Sequence, residues 1–466
     1  MSFLSFSNIT CYTSPMRKFD FSNSTVKIVL ILALVLLFLI PVGLIKNLIY
    51  DRKSYQQEAL QSITEPLGGE AEIQGLVIAV PYKFHRESFD SKGAVRIETE
   101  TKYAIFAPDS YNLDFDVAPY YLSRGIFRVP VFNGSIDVKA EFADFDFSYF
   151  DIAQNDVIEK DAVLILGFSN TKSLTAQPKL NVNGQNLSLS PIKYDSISPF
   201  NASVYYRLSE VDLSKKLSLA GKIDFQGGEN IRIRPLASDN CISMKSEWAS
   251  PSFSGGWLPK ERELSEKGFS AVWNIAGLST VYPKSWLAEK KFEPESLKVS
   301  FIEPVNNYKK TERSVKYALL FLIIPFIALL ISEIFSKIKI HPVQYCLIGF
   351  ADVIFYLLLL SISEHISFDL TYLICAICVC LSTLFYASAI FKKLKWGGLL
   401  SGVQFISYVF LYGTLQAEDY ALLIGSIGLF IVVVLLMFIT RKIDWYELNR
   451  EESRDETKGE DSLKTL

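Results

Sequence analysis

The strongest constraint on this chain is where its apolar residues lie: one long run near the start, five near the end, and a long middle without any. The first run, Ile28 to Ile45, is bounded by Lys27 and Lys46. A bilayer-spanning helix needs about 20 apolar residues, which this run reaches with its flanks. A cleaved signal peptide has a shorter apolar core followed by small residues at a cut site. This run ends in Leu44-Ile-Lys-Asn-Leu-Ile-Tyr50 and reads as an uncleaved anchor. After Lys316 come Tyr317–Ser332, Val343–Ser363, Leu370–Phe391, Trp396–Leu415 and Ala421–Thr440, with charged residues gathered between them. The pattern predicts a membrane protein with six transmembrane helices, at 26–48, 317–335, 342–363, 370–391, 396–415 and 420–440. One is an N-terminal anchor and five form a C-terminal bundle.

Between the first and second spans, residues 49–316 alternate in the two-residue period of strands. Examples are Asn112-Leu-Asp-Phe-Asp-Val117 and Ser135-Ile-Asp-Val-Lys-Ala-Glu-Phe142, punctuated by Asn133-Gly134, Asn183-Gly184, Gly227-Gly228 and Gly255-Gly256. This predicts a large, mostly antiparallel β domain. Tyr55, Ala59 and Ile63 recur at helical spacing and predict a short stalk helix ahead of it.

Charge sets the expected orientation, because Lys and Arg near span ends favour the cytoplasm. Arg17, Lys18 and Lys27 precede the first span, Lys337 and Lys339 follow the second, Lys392, Lys393 and Lys395 follow the fourth, and Arg441 and Lys442 follow the last. The alternate short loops carry Glu364 and Asp369, then Glu418 and Asp419. Both termini are therefore expected in the cytoplasm, namely the segment 1–25 and a charged, disordered tail 441–466, with the β domain across the membrane. Lys309, Lys310, Arg313 and Lys316 dissent, but a large translocated domain weighs little in this rule. Across the whole chain 47 Lys and Arg face 50 Asp and Glu, a net charge of −3, so no nucleic-acid partner is expected. The bilayer is the expected environment, and a cell-wall or envelope protein is the candidate partner.

Asp352 stands midway along the third span, where a carboxylate costs roughly 2.5–3.5 kcal/mol on insertion scales and so must face the bundle interior or water. Tyr345, Gly349, Asp352, Tyr356 and Ser363 form one helical stripe. Ser401, Gln404 and Tyr408 form a second on the fifth span, and Cys375, Cys378, Ser382 and Tyr386 a third on the fourth. Such stripes are expected to point inward and hydrogen-bond between helices. Around Asp352 this permits a proton or substrate path. It equally permits a carboxyl bonded to a tyrosine that only fixes helix packing, and the lack of a basic partner favours this second reading. Glu364-His365, at the end of the third span, can titrate near neutral pH or simply cap the helix. Adjacent helical residues diverge, so they do not form a triad pair. Cys375-x-x-Cys378 has metal or redox spacing but lies in an apolar helix, where packing is the commoner use. In the middle region Trp248, Phe253 and Trp257 mark a segment dense in Trp, Pro and Gly, either an interaction loop or a turn whose aromatics fill the core. No Gly-rich phosphate loop, Gly-x-Ser-x-Gly elbow or His-Glu-x-x-His motif occurs, so neither enzyme activity nor a cofactor is expected.

Several blocks resemble the CreD-type inner-membrane proteins, described as cell envelope integrity proteins of Gram-negative bacteria. In the bundle these are Arg313-Ser-Val-Lys-Tyr317, His341-Pro-Val-Gln-Tyr345, Phe355-Tyr-Leu-Leu-Leu-Leu-Ser-Ile-Ser-Glu-His365, Glu418-Asp-Tyr-Ala-Leu-Leu-Ile-Gly425 and Thr440-Arg-Lys-Ile-Asp-Trp-Tyr446. In the middle region they are Trp248-Ala-Ser-Pro-Ser-Phe253, Leu258-Pro259 and Gly268-Phe-Ser-Ala-Val-Trp273. Gly75-Leu76 departs from the family's usual Gly-Pro, and Asn306 from a common Asp. The resemblance implies a multi-pass inner-membrane protein with a periplasmic β domain, and a link to envelope stress and β-lactam response. It implies no reaction. The expected function is a non-enzymatic envelope factor, ahead of a transporter using the Asp352 stripe or an enzyme acting on lipid or wall precursors through Asp352, Glu364 and His365.

Overall fold

The structure, a computed structural model, describes residues 24–89, 95–190, 193–194, 196–209, 211–290, 292, 295–301, 307–417 and 420–441. The segment before Ser24, the tail after Arg441, and Glu418 and Asp419 fall outside them. The chain divides at 53/54 and 305/306 into a membrane unit formed by both ends and a β unit formed by the middle.

α1 (Ser24–Thr64) is one helix of 41 residues, with Pro41 inside it. The expected anchor and stalk are therefore continuous, since no glycine or proline interrupts Arg52 to Thr64. The β unit follows. Its strands are β1 (Ala71–Phe89), β2 (Val95–Phe106), β3 (Ser110–Arg124), β4 (Phe127–Phe142), β5 (Val163–Phe168), β6 (Lys179–Val182), β7 (Gln185–Asn186) and β8 (Ala202–Arg207). They continue with β9 (Leu217–Gly228), β10 (Asn230–Ile233), β11 (Asp239–Ser246), β12 (Pro251–Gly255), β13 (Glu261–Ser265), β14 (Gly268–Ala276), β15 (Ser285–Leu287) and β16 (Leu297–Phe301).

Two eight-stranded sheets result. One runs β12-β16-β10-β1-β2-β15, with β5 and β8 added beside β1, and the other runs β13-β14-β11-β3-β4-β9-β6-β7. The sheets are mixed but mostly antiparallel, the parallel pairs being β1 with β10 and β3 with β11. The main core includes Tyr111, Phe132, Phe225, Ile242, Trp273 and Phe301. A second core, with Val77, Ile105, Val163, Phe200 and Trp286, covers the other face of the first sheet. That sheet is apolar on both faces, so β5 is buried at every position. The second sheet is wet on one face, and β3 alternates buried and exposed from Tyr111 to Val117.

The membrane unit continues with α2 (Asn307–Lys316), α3 (Ala318–Ser336), α4 (Pro342–Ser363), α5 (Phe368–Phe391), α6 (Leu394–Gln416) and α7 (Ala421–Thr440). The short α2 was not read from the sequence. It buries Tyr308, Thr311, Ser314 and Val315, and it belongs with the membrane helices rather than the β unit. Six helices, α1 and α3–α7, are long and apolar enough to span a bilayer. Gly349 on α4 lets the Phe38 and Phe326 rings of α1 and α3 come against its backbone, where a Cβ would sit 2.5 Å from one and 2.6 Å from the other. α7 differs from the rest, burying only Gly428 against Phe410.

Candidate functional site

α4 carries polar residues at three heights. Tyr345, Asp352 and Tyr356, and Ser363 all lie on its buried face, and Glu364 caps its end. At 1.5 Å per residue, Tyr345 to Asp352 spans about 10 Å and Asp352 to Glu364 about 18 Å, together close to the hydrocarbon thickness of a bilayer.

At the middle height Asp352 is 3% exposed. Its Oδ1 accepts from Gln404 Nε2 and, at 3.2 Å, from the Tyr408 hydroxyl, both on α6. Gln404 and Tyr408 are four residues apart, so one helix face delivers both donors. The Tyr372 hydroxyl of α5 donates to the Tyr408 carbonyl at 2.7 Å, and the Phe355 ring lies against that of Tyr408 in a tilted contact with centroids 4.4 Å apart. The stripes expected on the third and fifth spans therefore meet. Three buried atoms here, Asp352 Oδ2, the Tyr356 hydroxyl and Gln404 Oε1, have no hydrogen-bond partner. A proton on Asp352 would give the carboxyl a donor to match its acceptor surplus.

The stripe expected on the fourth span does not face inward: Cys378 and Ser382 are exposed and Tyr386 is half-buried. The inner face of α5 runs through Tyr372, Cys375, Val379 and Thr383, roughly a quarter-turn away. Apolar packing set the rotation, and Cys375 alone is shared by both faces. Cys375 is buried and Cys378 exposed, both as free thiols. No group of three His, Cys, Asp or Glu is placed to hold a metal among the described residues.

At one end of the bundle, Lys27 of α1 is ion-paired with Glu333 of α3, both nearly buried. The Tyr345 hydroxyl donates to Glu333 Oε2 at 2.8 Å, and the Ile340 amide to Oε1 at 2.8 Å. At the other end Glu364 Oε1 accepts from the Tyr308 hydroxyl at 2.9 Å and lies 3.4 Å from Arg52 Nε. Asn307 Nδ2 donates to the Ser363 carbonyl at 2.7 Å, and Lys53 is ion-paired with Glu312. His365 is exposed and stands apart from Asp352. Of the three groups that an acid–base site would need, Glu364 and His365 lie just past the end of α4, about 18 Å along the helix from Asp352.

Sequence reasoning missed Lys27, Arg52, Tyr308 and Glu333 as members of the site. Charges at span edges read as topology markers, which hides that two of them pair inside. The one signal was Glu333 itself, an acid set one turn inside Lys337 at the end of an apolar run.

In the β unit, Trp248 packs on Tyr121 and Phe301, and Phe253 on Phe269 and Trp273. Trp257 lies against the main core. Of the two readings of this segment, these contacts fit the packed turn, with Trp248 buried and Phe253 and Trp257 half-buried, while Leu258 is 66% exposed.

The sequence pattern of a family described as "Inner membrane protein CreD" matches residues 23–446. A protein of Escherichia coli (strain K12) named "Inner membrane protein CreD" is 27% identical over 438 residues, covering 92% of this chain and 96% of that protein.

Proposed function

The chain belongs to the CreD family of inner-membrane proteins, and from that premise we propose that it is a non-enzymatic factor supporting cell-envelope integrity. In this reading the β unit lies on the periplasmic side, both chain ends lie in the cytoplasm, and the β unit binds or scaffolds an envelope component. The observation that carries it is the construction of α1. It is gripped within the bundle at Lys27 and at Arg52, then runs unbroken to Thr64, whose side chain fills the space over Gly228 in the β unit. The β unit is thus joined to the membrane helices by the chain itself, through α1 on one side and ahead of α2 on the other.

The test is complementation in a strain lacking the gene, scored by growth under a β-lactam and under detergent. The full chain is expected to restore growth, and the β unit secreted alone is not. Rescue by the secreted unit would remove any need for the bundle and contradict this reading.

A second reading, proton-coupled transport, is favoured by the three unpartnered atoms around Asp352. It requires that Asp352→Asn abolish function while leaving the protein folded and inserted. Full complementation by that variant eliminates it.

A further inference from the structure

The β3–β4 hairpin is longer than the sheet that holds it. Its pairing with β11 ends at Val117 with Ser246, and its pairing with β9 ends at Val131 with Gly228. Beyond those positions, residues 118–130 form a ribbon of two strands paired to each other alone among the described strands, closed by Gly125 and Ile126. Gly125 has φ +61°, as a primed two-residue turn requires. Pro119 and Pro130 lie within the ribbon and discourage a further strand from joining it.

The composition of this ribbon is unlike the rest of the wet surface. Tyr120, Tyr121, Leu122 and Ile126 are each 37–41% exposed, and Arg124 and Arg128 are exposed beside them. The Arg128 guanidinium lies 4.6 Å over the Tyr121 ring. No acidic residue occurs between Asp116 and Asp137. A second ribbon provides a control. The β1–β2 hairpin also outruns its sheet, but its exposed residues Lys83, Arg86 and Arg96 are balanced by Glu87, Glu98 and Glu100.

The two ribbons leave opposite ends of the β unit. β1 starts at Ala71, next to Gly227, and runs away from it to Phe89. The β3–β4 ribbon projects from the end holding Thr64, Gly228 and Phe301, where the chain arrives from α1 and departs toward α2. Tyr121 is braced there on Trp248, which packs on Phe301. Six or seven residues of overhang at 3.3 Å each give a reach of about 20 Å.

We propose that the tip of the β3–β4 ribbon docks into the anionic interface of the bilayer, with Tyr120, Tyr121, Leu122 and Ile126 at headgroup depth and Arg124 and Arg128 on lipid phosphates. Tyrosine and arginine are the side chains that suit that depth, having an apolar body and a polar end. A basic tip free of acids is attracted to anionic lipid, whereas the charge-balanced ribbon at the other end is not. Covalent attachment of the β unit to membrane helices makes even a weak contact effective. The contact adds to the covalent link a second point at which the β unit meets the membrane.

The test uses the full chain with Cys11→Ser and Cys241→Ser, carrying an environment-sensitive fluorophore at Leu122→Cys or, as control, at Ile97→Cys. In nanodiscs of phosphatidylethanolamine and phosphatidylglycerol containing headgroup-proximal nitroxide lipid, the probe at 122 is expected to be quenched at least about two-fold more than that at 97. Arg124→Gln with Arg128→Gln is expected to reduce that quenching to its value in phosphatidylcholine discs. Equal quenching at 122 and 97 in the anionic discs overturns the proposal. So does a probe at 122 that is shielded only in native envelopes and not in discs, which would identify a protein partner instead of lipid.

Discussion

In the membrane unit Lys27, Glu333 and Asp352 are buried, and each is met by a side chain from another helix. In the β unit no charged residue is buried among those described. Its acids, such as Asp114, Asp116 and Asp224, stand on the wet face of the second sheet, and its interior polar groups are amides and hydroxyls. Asn240 is typical: its side chain makes four hydrogen bonds to the backbone at Leu236, Ala237 and Ile275. The same chemistry is sorted in opposite directions because the surroundings differ. A β domain in water can leave its charges outside at no cost, whereas a helix in lipid can solvate a charge only by turning it inward. A buried charge in the bundle is therefore a structural element with specified partners.

The largest expected effect breaks this contrast on the membrane side. Lys27→Met leaves Glu333 buried without its cation and should destabilise the bundle by about 3–5 kcal/mol. Adding Glu333→Gln should recover much of that loss, read by thermal unfolding in detergent with hydrogen exchange to localise it. Next is Asp352→Leu, which strips the acceptor from Gln404 and Tyr408 and should cost about 1–3 kcal/mol. Asp352→Asn keeps an acceptor oxygen and should cost under about 1 kcal/mol. If both Asp352 variants behave alike, the carboxylate is not organising the layer.

In the β unit the nearest parallel is Glu229, half-buried in a left-handed backbone at φ +59°. Burial raises its carboxyl above the ordinary glutamate range, Glu70 adds to this, and Lys298 opposes it. The folded state then holds the proton more tightly than the unfolded state. Stability is accordingly lost as pH rises through the carboxylate range. Glu229→Gln should flatten that slope in denaturant titrations across mildly acidic pH. The smallest effect belongs to α7, where Phe430 is 68% exposed. Phe430→Ala should shift stability in detergent by less than about 0.5 kcal/mol, because no neighbouring helix covers the ring.

The six apolar helices and the β middle were legible because hydropathy and period-two alternation are local properties of the sequence. Asp352 with Gln404 and Tyr408 was legible for a related reason, since polar residues in an apolar helix have few places to go. The rotation of α5 was not, because packing and not polarity chose its inner face: Thr383 is buried and Ser382 is exposed although they are neighbours of similar chemistry. The Lys27–Glu333 pair was hidden by a separation of 306 residues and by each residue's resemblance to an ordinary span flank. The β3–β4 ribbon was equally hidden, since only the register of β9 and β11 reveals that the hairpin outruns its sheet.

The claim on which the functional account rests is that the β unit and both chain ends lie on opposite sides of the membrane. Cys241 tests it directly, being an exposed thiol on β11. In a Cys11→Ser background, a membrane-impermeant maleimide applied to cells with an opened outer envelope and an intact inner membrane should label Cys241 fully. A Lys393→Cys thiol, between α5 and α6, should react only after lysis. Labelling of Cys241 that likewise waits for lysis would place the β unit in the cytoplasm and contradict the account.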